Sequence, residues 1–422
     1  MSMTRRQVLV AGGATALGSV AVAASARPAD AAPSPLPAPD RSGIDHVVVV
    51  MMENRSFDHF LGWVPGADGR QAGQRYVDRY GVAHQTWHLT DFQGCTSADP
   101  DHSYEGGRIE YNRGKCDGWL RAGENDPFAI GYYTGADLDF HRQAARDWTV
   151  CDRYFAATMA ETYPNRFYQH AARTDRIHNS TDLSTLPTIW DRLAAAGLRG
   201  TYYFSDIPFT ALWGPKYLGI SRPYAQFLAD CAAGTLPEVA FVDPRFEDEP
   251  SGTSGDDHPH ADIRSGQAFL AEVYDAVVSS PAWGRTLLVI NYDEWGGFFD
   301  HVPPAEAPDA DRANALRGFR VPALVISPRA RRGAVAHEVY DHTSVLRTIE
   351  WRWGLPPLTP RDRTARNLAE VLDFRSPPRL TAPRYTTRPV PPGAPCQVAQ
   401  QESSEEWEPL RRLALAEGFP LP

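Results

Sequence analysis

From position 44 the chain reads Ile44-Asp45-His46-Val47-Val48-Val49-Val50-Met51-Met52, an apolar run without the alternation of a strand wetted on one face. A continuous β-branched run of this kind fits a strand covered on both sides, as in a parallel sheet. Comparable runs recur at 200–204, 239–242, 286–292 and 321–327, with helical patterns at 186–196, 266–279 and 343–353. Alternating strands and helices predict an α/β fold, a three-layer sandwich with a mostly parallel central sheet flanked by helices. Residues 62–150 break the pattern with Gly, Asp and aromatic residues of weak periodicity, and predict a loop-rich insertion beside the sheet's active edge. Residues 375–399 are Pro-rich and predict a surface strap, followed by an amphipathic helix over 403–416. A catalytic domain over 32–374, with the strap and helix over 375–422, is the organisation this implies.

Ahead of the first strand, residues 1–31 predict an export signal. Thr4-Arg5-Arg6-Gln7-Val8-Leu9 has a twin-arginine pattern, a Gly/Ala-rich apolar stretch covers 8–24, and two small-residue cut sites follow. Of these, Ala29-Asp30-Ala31 is preferred over Ala24-Ser25-Ala26; an anchoring N-terminal helix is the alternative. The expected route is the twin-arginine translocase, and the expected destination is secreted or attached to the cell wall. Later in the chain no run reaches the roughly 18 apolar residues of a membrane span.

Composition narrows the function. With 42% hydrophobic and 22% charged residues the chain is globular rather than disordered. A formal charge of −10 argues against a nucleic-acid partner. The five cysteines, Cys95, Cys116, Cys151, Cys231 and Cys396, form no CxxC. They leave bridge connectivity open, with Cys95–Cys116 the nearest pair along the expected mature chain.

Three polar clusters stand at predicted strand ends, where open α/β sheets bind ligands. The first strand ends in Glu53-Asn54-Arg55-Ser56-Phe57-Asp58, and 286–292 ends in Asp293-Glu294. The 239–242 strand ends in Asp243 and leads through Glu247-Asp248-Glu249 to Asp256-Asp257-His258-Pro259-His260. Acidic oxygen donors with a nearby histidine are what a divalent metal site requires. Any one cluster alone reads as a helix cap or solvated loop; their convergence on one edge favours a site. Thr162 precedes Tyr163-Pro164, and Pro164 suits the first turn of a helix. That puts the hydroxyl where a helix dipole favours an approaching phosphoryl group, although a plain N-cap is the competing role. His102 is a candidate proton donor to a leaving-group oxygen. Asp300-His301 and Asp341-His342 are either residues that orient the site or helix caps. Trp63, Trp119 and Trp295 are either a wall for a choline group or part of an aromatic core.

Taken in order, six strings resemble the bacterial phosphoesterase family that contains non-specific phospholipases C and a group of acid phosphatases, within the alkaline-phosphatase-like superfamily. They are Glu53-Asn54-Arg55-Ser56-Phe57-Asp58-His59; His102-Ser103-Tyr104 with 112–119; Thr162-Tyr163-Pro164-Asn165-Arg166; Asp257-His258-Pro259; Asp293-Glu294-Trp295-Gly296-Gly297-Phe298-Phe299-Asp300-His301-Val302; and Tyr340-Asp341-His342-Thr343-Ser344. The resemblance implies a metal held by Glu53, Asn54, Asp293 and Glu294, with Thr162 reaching the same ion. It also implies a phosphothreonine intermediate, with His102 and His258 binding phosphoryl oxygens or serving the leaving group. Asn165, Arg166, Arg108 and Asn112 are the substrate-binding residues of the same matching. Oxygen-rich ligation suits Ca, Mn or Mg better than Zn or Fe, without fixing the ion.

Threonine as nucleophile resembles the phospholipase C branch and leans toward diesters, with phospholipid at a membrane surface as partner. Arg108 stands where the phospholipase-like pattern has a second histidine; an arginine clamps phosphate but moves no proton. A long C-terminal extension of larger relatives is also missing from the resemblance. A broad-specificity acid phosphatase is the second reading, and a non-catalytic cell-surface binding module the third.

Overall fold

The run at 44–52 becomes the strand His46–Met52, buried along its whole length at the centre of a nine-stranded sheet. The computed structural model describes residues 29–30, 33, 35–247, 249–390, 396 and 407–422. Most of the predicted export signal, Asp248, residues 391–395 and 397–399 of the strap and 403–406 of the last predicted helix lie outside the described residues.

In chain order the sheet strands are β1 (Ala29–Asp30), β2 (His46–Met52), β3 (Thr149–Cys151), β4 (Gly200–Phe204), β5 (Ser221–Pro223), β6 (Val239–Val242), β7 (Thr286–Tyr292), β8 (Ala323–Ile326) and β9 (Ala334–Ala336). Across the sheet they lie in the order β1-β9-β3-β8-β7-β2-β6-β4-β5. All neighbours are parallel except β8, which runs antiparallel to both β7 and β3. Val47 of β2 pairs with Val239 of β6 on one side and Leu287 of β7 on the other, in the same direction. These three strands therefore end side by side and deliver Asp243, Glu53 and Asp293 to one edge. The direction of β8 was not readable, because a buried apolar run looks the same whichever way it runs.

Helices flank the sheet in two groups. One contains α3 (Asp139–Asp147), α6 (Tyr224–Ala233) and α7 (Ile263–Ser279); the other contains α4 (Thr162–Ala171), α5 (Ile189–Ala195), α8 (His342–Trp353) and α9 (Pro360–Thr364). In α7, Ile263, Gly266, Gln267, Leu270, Val273, Tyr274 and Val277 are buried, one continuous face at helical spacing, and Asp262 caps the start. Among the described residues no helix is long and apolar enough to cross a membrane.

The stretch read as an insertion carries short ribbons, α2 (Tyr104–Tyr111) and α3, and its last residues supply β3. A second aromatic core fastens it to the sheet edge. Trp119 and Trp295 are both fully buried there and pack on Phe319, at ring distances of 4.6 and 5.4 Å. These two tryptophans are thus core, while Trp63 is partly buried and donates its indole N–H to Phe60 O (2.6 Å). Cys95 forms its disulfide with Cys396 rather than Cys116, across 301 positions, which ties the strap to the insertion. Cys116, Cys151 and Cys231 are free and buried. The last helix, α10 (Trp407–Ala416), packs against the segment 209–220.

Candidate active site

Thr162 is the first residue of α4, and every residue of this helix is buried. Asn165 shapes the turn before it: its Oδ1 accepts from Thr158 N (2.9 Å), and its Nδ2 donates to Ala160 O (2.7 Å) and Glu161 O (3.1 Å). The Tyr163 N–H is given to Asn179 Oδ1 (2.8 Å) and Pro164 has none, so these two positions offer no donor to a phosphoryl oxygen. What remains is the positive end of the helix dipole. Thr162 Oγ1 donates to Glu53 Oε2 (3.2 Å) and approaches Asn54 Oδ1 at 3.5 Å. Three oxygens from two distant chain segments thereby converge.

The strand ends around them are tightly built. Asn54 has a left-handed backbone (φ 39°), and its N–H donates to Asp293 Oδ1 (3.2 Å). Gly296 (φ 62°) lies against the Asn54 carbonyl so closely that a Cβ would collide with it, so glycine is required there. Arg166, one turn along α4, pairs with Glu53, with Asp293 Oδ2 (3.2 Å) and with Asp243 Oδ1 (3.2 Å), all buried. Burial alone would lower the Arg166 pKa, but Glu53, Asp243 and Asp293 raise it, and the guanidinium stays charged. Burial raises the carboxyl of Asp293, opposed by Arg166.

Glu294 is fully buried, and its Oε2 accepts from Gly296 N (2.7 Å). Its Oε1 has no hydrogen-bond partner among the described residues and faces His102 Nε2 at 4.0 Å. Burial pushes this carboxyl well above its ordinary value, with His102 opposing. Three acidic side chains, Glu53, Asp243 and Asp293, thus meet one guanidinium, and Glu294 adds a fourth buried carboxyl next to Asp293 in the chain. An orphaned carboxylate oxygen beside an acid-rich, oxygen-only donor set fits a hard divalent cation. Glu53, Asn54, Asp293 and Thr162 are in mutual contact and could hold one, with Glu294 the next residue along the chain.

The histidines line the next layer. His102 donates from Nδ1 to Pro100 O (2.8 Å), which leaves Nε2 as its acceptor. Its ring lies 5.9 Å from that of His258. His258 Nδ1 lies 3.0 Å from Pro259 O and 3.3 Å from Glu249 Oε2, while Nε2 is 3.8 Å from Asp99 Oδ2. Burial pushes His258 down to about 4. Asp99, His102 and His258 form one group able to ligate a metal; Asp58, Asp300 and His301 form a second.

The structure therefore joins Thr162, Glu53, Asn54, Asp293 and Arg166 through direct contacts, and Glu294, His102 and His258 through closely spaced side chains. The remaining predicted residues are engaged within the protein. Arg108 stacks on Tyr104, 3.2 Å from the ring centre, and donates to Tyr104 O (2.6 Å) and Met159 O (2.9 Å). Asn112 ends α2 and donates to Asp117 Oδ1 (2.7 Å). Asp341 caps α8 together with Ser344, while His342 Nε2 lies 2.6 Å from Asp293 O and steadies the strand end. Asp99 was not singled out from the sequence, since a lone aspartate in a Gly/Asp-rich loop carries no signal.

The phosphoesterase family matches over residues 44–214 and 200–356. The chain belongs to the phosphoesterase family. It is a phosphoric ester hydrolase of the phospholipase C-like kind. Phospholipase C B of Mycobacterium tuberculosis is 32% identical to it, over 81% of this chain and 80% of that one. Non-specific phospholipase C1 of Arabidopsis thaliana is also 32% identical, over 81% and 73%. Among solved structures, a protein in the alkaline phosphatase superfamily from Vibrio parahaemolyticus aligns with a TM-score of 0.37 at 10% identity, covering 83% of this phosphoesterase and 90% of that chain.

Proposed function

We propose that this phosphoesterase is an exported, metal-dependent phosphodiesterase that cleaves phospholipid headgroups through a phosphothreonine intermediate. The observation that carries the reading is the Thr162 hydroxyl, buried at a helix start and hydrogen-bonded to Glu53 where three parallel strands bring their terminal carboxylates together. A divalent cation held by Glu53, Asn54, Asp293, Glu294 and Thr162 supplies charge that makes the hydroxyl more acidic and offsets the phosphoryl oxygens.

The residues then divide the work. Glu53 Oε2 accepts the Thr162 proton as Oγ1 bonds to phosphorus. The bond from phosphorus to the diacylglycerol oxygen breaks, and His258, neutral at rest and charged on Nε2 only once the anionic phosphate lies beside it, gives that proton to the leaving oxygen. Water attacks the phosphothreonine, His258 takes its proton, Glu53 returns its proton to Thr162 Oγ1, and the phosphorylated headgroup leaves. His102, whose Nε2 faces the same space, binds phosphoryl oxygen when protonated. The twin-arginine pattern at Arg5-Arg6 supports export, and removal of the leader at 29–31 would take β1 from the sheet's edge.

The test is turnover of p-nitrophenylphosphorylcholine and p-nitrophenyl phosphate by parent and Thr162→Ala protein, before and after chelation. Faster diester cleavage is expected, lost by about 10³-fold or more in Thr162→Ala and abolished reversibly by chelator. Undiminished turnover in Thr162→Ala would overturn the nucleophile. Faster monoester cleavage would move the protein to the acid-phosphatase reading.

A further inference from the structure

His258 is held from behind by residues that come from the far end of the chain. Glu249, buried in a short turn, places Oε2 3.3 Å from His258 Nδ1, and its Oε1 accepts the indole N–H of Trp407 at 3.0 Å. Trp407 is itself buried and opens α10. Its ring stacks on Phe246, 4.1 Å away and nearly parallel, and Phe246 in turn covers the Arg166 guanidinium at 4.6 Å. Arg411, on the next turn of α10, pairs with Glu247 at 2.9 Å. Just before this helix, Cys396 is bonded to Cys95 in the loop that carries Asp99 and His102. Cys396 Sγ lies 3.4 Å from Gln93 Nε2 and 4.0 Å from His260 O. One C-terminal segment is thus fastened at two points, and both flank His258.

We infer that Glu249 and Trp407 are positioning residues for His258, so that the C-terminal helix completes the active site of the sheet. The inference rests on the role given to His258 above and extends it. Pro259 O accepts from Nδ1 and the Glu249 carboxylate stands beside that bond, so the Nδ1 proton is fixed and Nε2 is the atom that exchanges a proton. A buried imidazole resists taking a second proton. The Glu249 carboxylate behind the ring offsets the charge that forms when it does. Trp407 N–H holds that carboxylate in place, so the donor is anchored by a ring that cannot turn without losing its stack on Phe246. Asp99 and His102 face the other side of the same ring, one favouring its charge and one opposing it.

The readout is dependence on the leaving group, which a purely structural role would not move. p-Nitrophenolate leaves without a proton, whereas the glycerol oxygen of a short-chain phosphatidylcholine needs one. Glu249→Gln is expected to lower kcat/KM, which ends at expulsion of the leaving group and omits the hydrolysis both substrates share, by about 10- to 100-fold on the lipid and by less than about 3-fold on p-nitrophenylphosphorylcholine. Trp407→Phe keeps an aromatic ring on Phe246 and removes the N–H donor with the rest of the five-membered ring, and should give the same selective pattern at about 3- to 10-fold. In a His258→Gln background Glu249→Gln should add less than about 2-fold, because both act through one group. Equal losses on both substrates, a full Glu249→Gln loss without His258, or no change in Trp407→Phe would each overturn the inference. Thr162→Ala assayed in parallel separates the two claims. Activity retained there sinks the threonine reading, whereas its loss beside unselective Glu249 and Trp407 variants sinks only the relay.

Discussion

Two buried arginines, each set among carboxylates, do opposite things in this molecule. Arg320 meets Asp58 at 3.1 Å and Asp300 at 2.9 Å, and gives its remaining N–H groups to Asp68 O (2.7 Å) and Asp152 O (2.8 Å). Asp58 also accepts from Arg70 N (2.8 Å), His301 N (2.9 Å) and His301 Nδ1 (2.5 Å), and Asp300 from Val302 N (2.9 Å) and Asp58 N (3.2 Å). Every carboxylate oxygen of that pair is taken. With His301 protonated its charge also balances, so the cluster is closed although Asp58, Asp300 and His301 have the spacing of a metal site. Around Arg166 the same chemistry is left open: three carboxylates face one guanidinium, and nearby Glu294 Oε1 has no hydrogen-bond partner among the described residues. Satisfied lone pairs and balanced charge mark a structural cluster, and their lack marks a site built for a cation.

The largest effect expected from this contrast is in Arg320→Met, which strands two buried carboxylates and should cost about 3–5 kcal/mol, read as urea unfolding or loss of soluble protein. The sharpest attempt to break the contrast pairs Asp300→Asn with Glu294→Gln in chelator. Asp300→Asn should lose about 1–3 kcal/mol, while Glu294→Gln should lose nothing or gain, since it removes an uncompensated buried charge. Adding divalent cation should then raise the melting temperature of the parent and leave Glu294→Gln nearly unmoved. Equal destabilisation in chelator would dissolve the distinction. The smallest effect is in pH dependence. Burial lowers the His301 pKa, but its bond to Asp58 and the charges of Asp58 and Asp300 raise it to a net value above 6.5. A histidine raised on folding contributes fully below its unfolded value and loses that contribution as pH climbs through the folded one. Stability should therefore fall from about pH 6.5 upward, and His301→Asn should lack that slope in urea titrations at successive pH values.

Much of the open cluster could be read in advance, because Glu53, Asp243 and Asp293 each follow directly on a strong apolar run. A strand buried on both faces is hard to mistake, and the first polar residue after it must emerge at the sheet's edge. Thr162 was legible through Pro164, which suits a helix start. The three-residue strand Thr149–Cys151 was too short for its pattern to stand out from the insertion. Arg166 is the instructive residue. Its place in the Thr162 string pointed to substrate, whereas in the fold its guanidinium is committed to three carboxylates from three strands.

The sequence by itself determined the α/β layering, the acidic strand ends, the threonine at a helix start and the order of strings that resembles the phosphoesterases. These are local matters: period, composition and the residue that follows a buried run. Only the tertiary structure decided which carboxylates Arg166 neutralises, that β8 runs backwards and that Cys95 bonds Cys396. It alone brought Trp407 and Glu249 behind His258. Each of these is a contact between residues far apart along the chain, set by how the buried faces of sheet, insertion and C-terminal helix pack together. Pairwise proximity of that kind leaves no period in a sequence, because packing is fixed by shape and burial across the whole core rather than by neighbours along the chain.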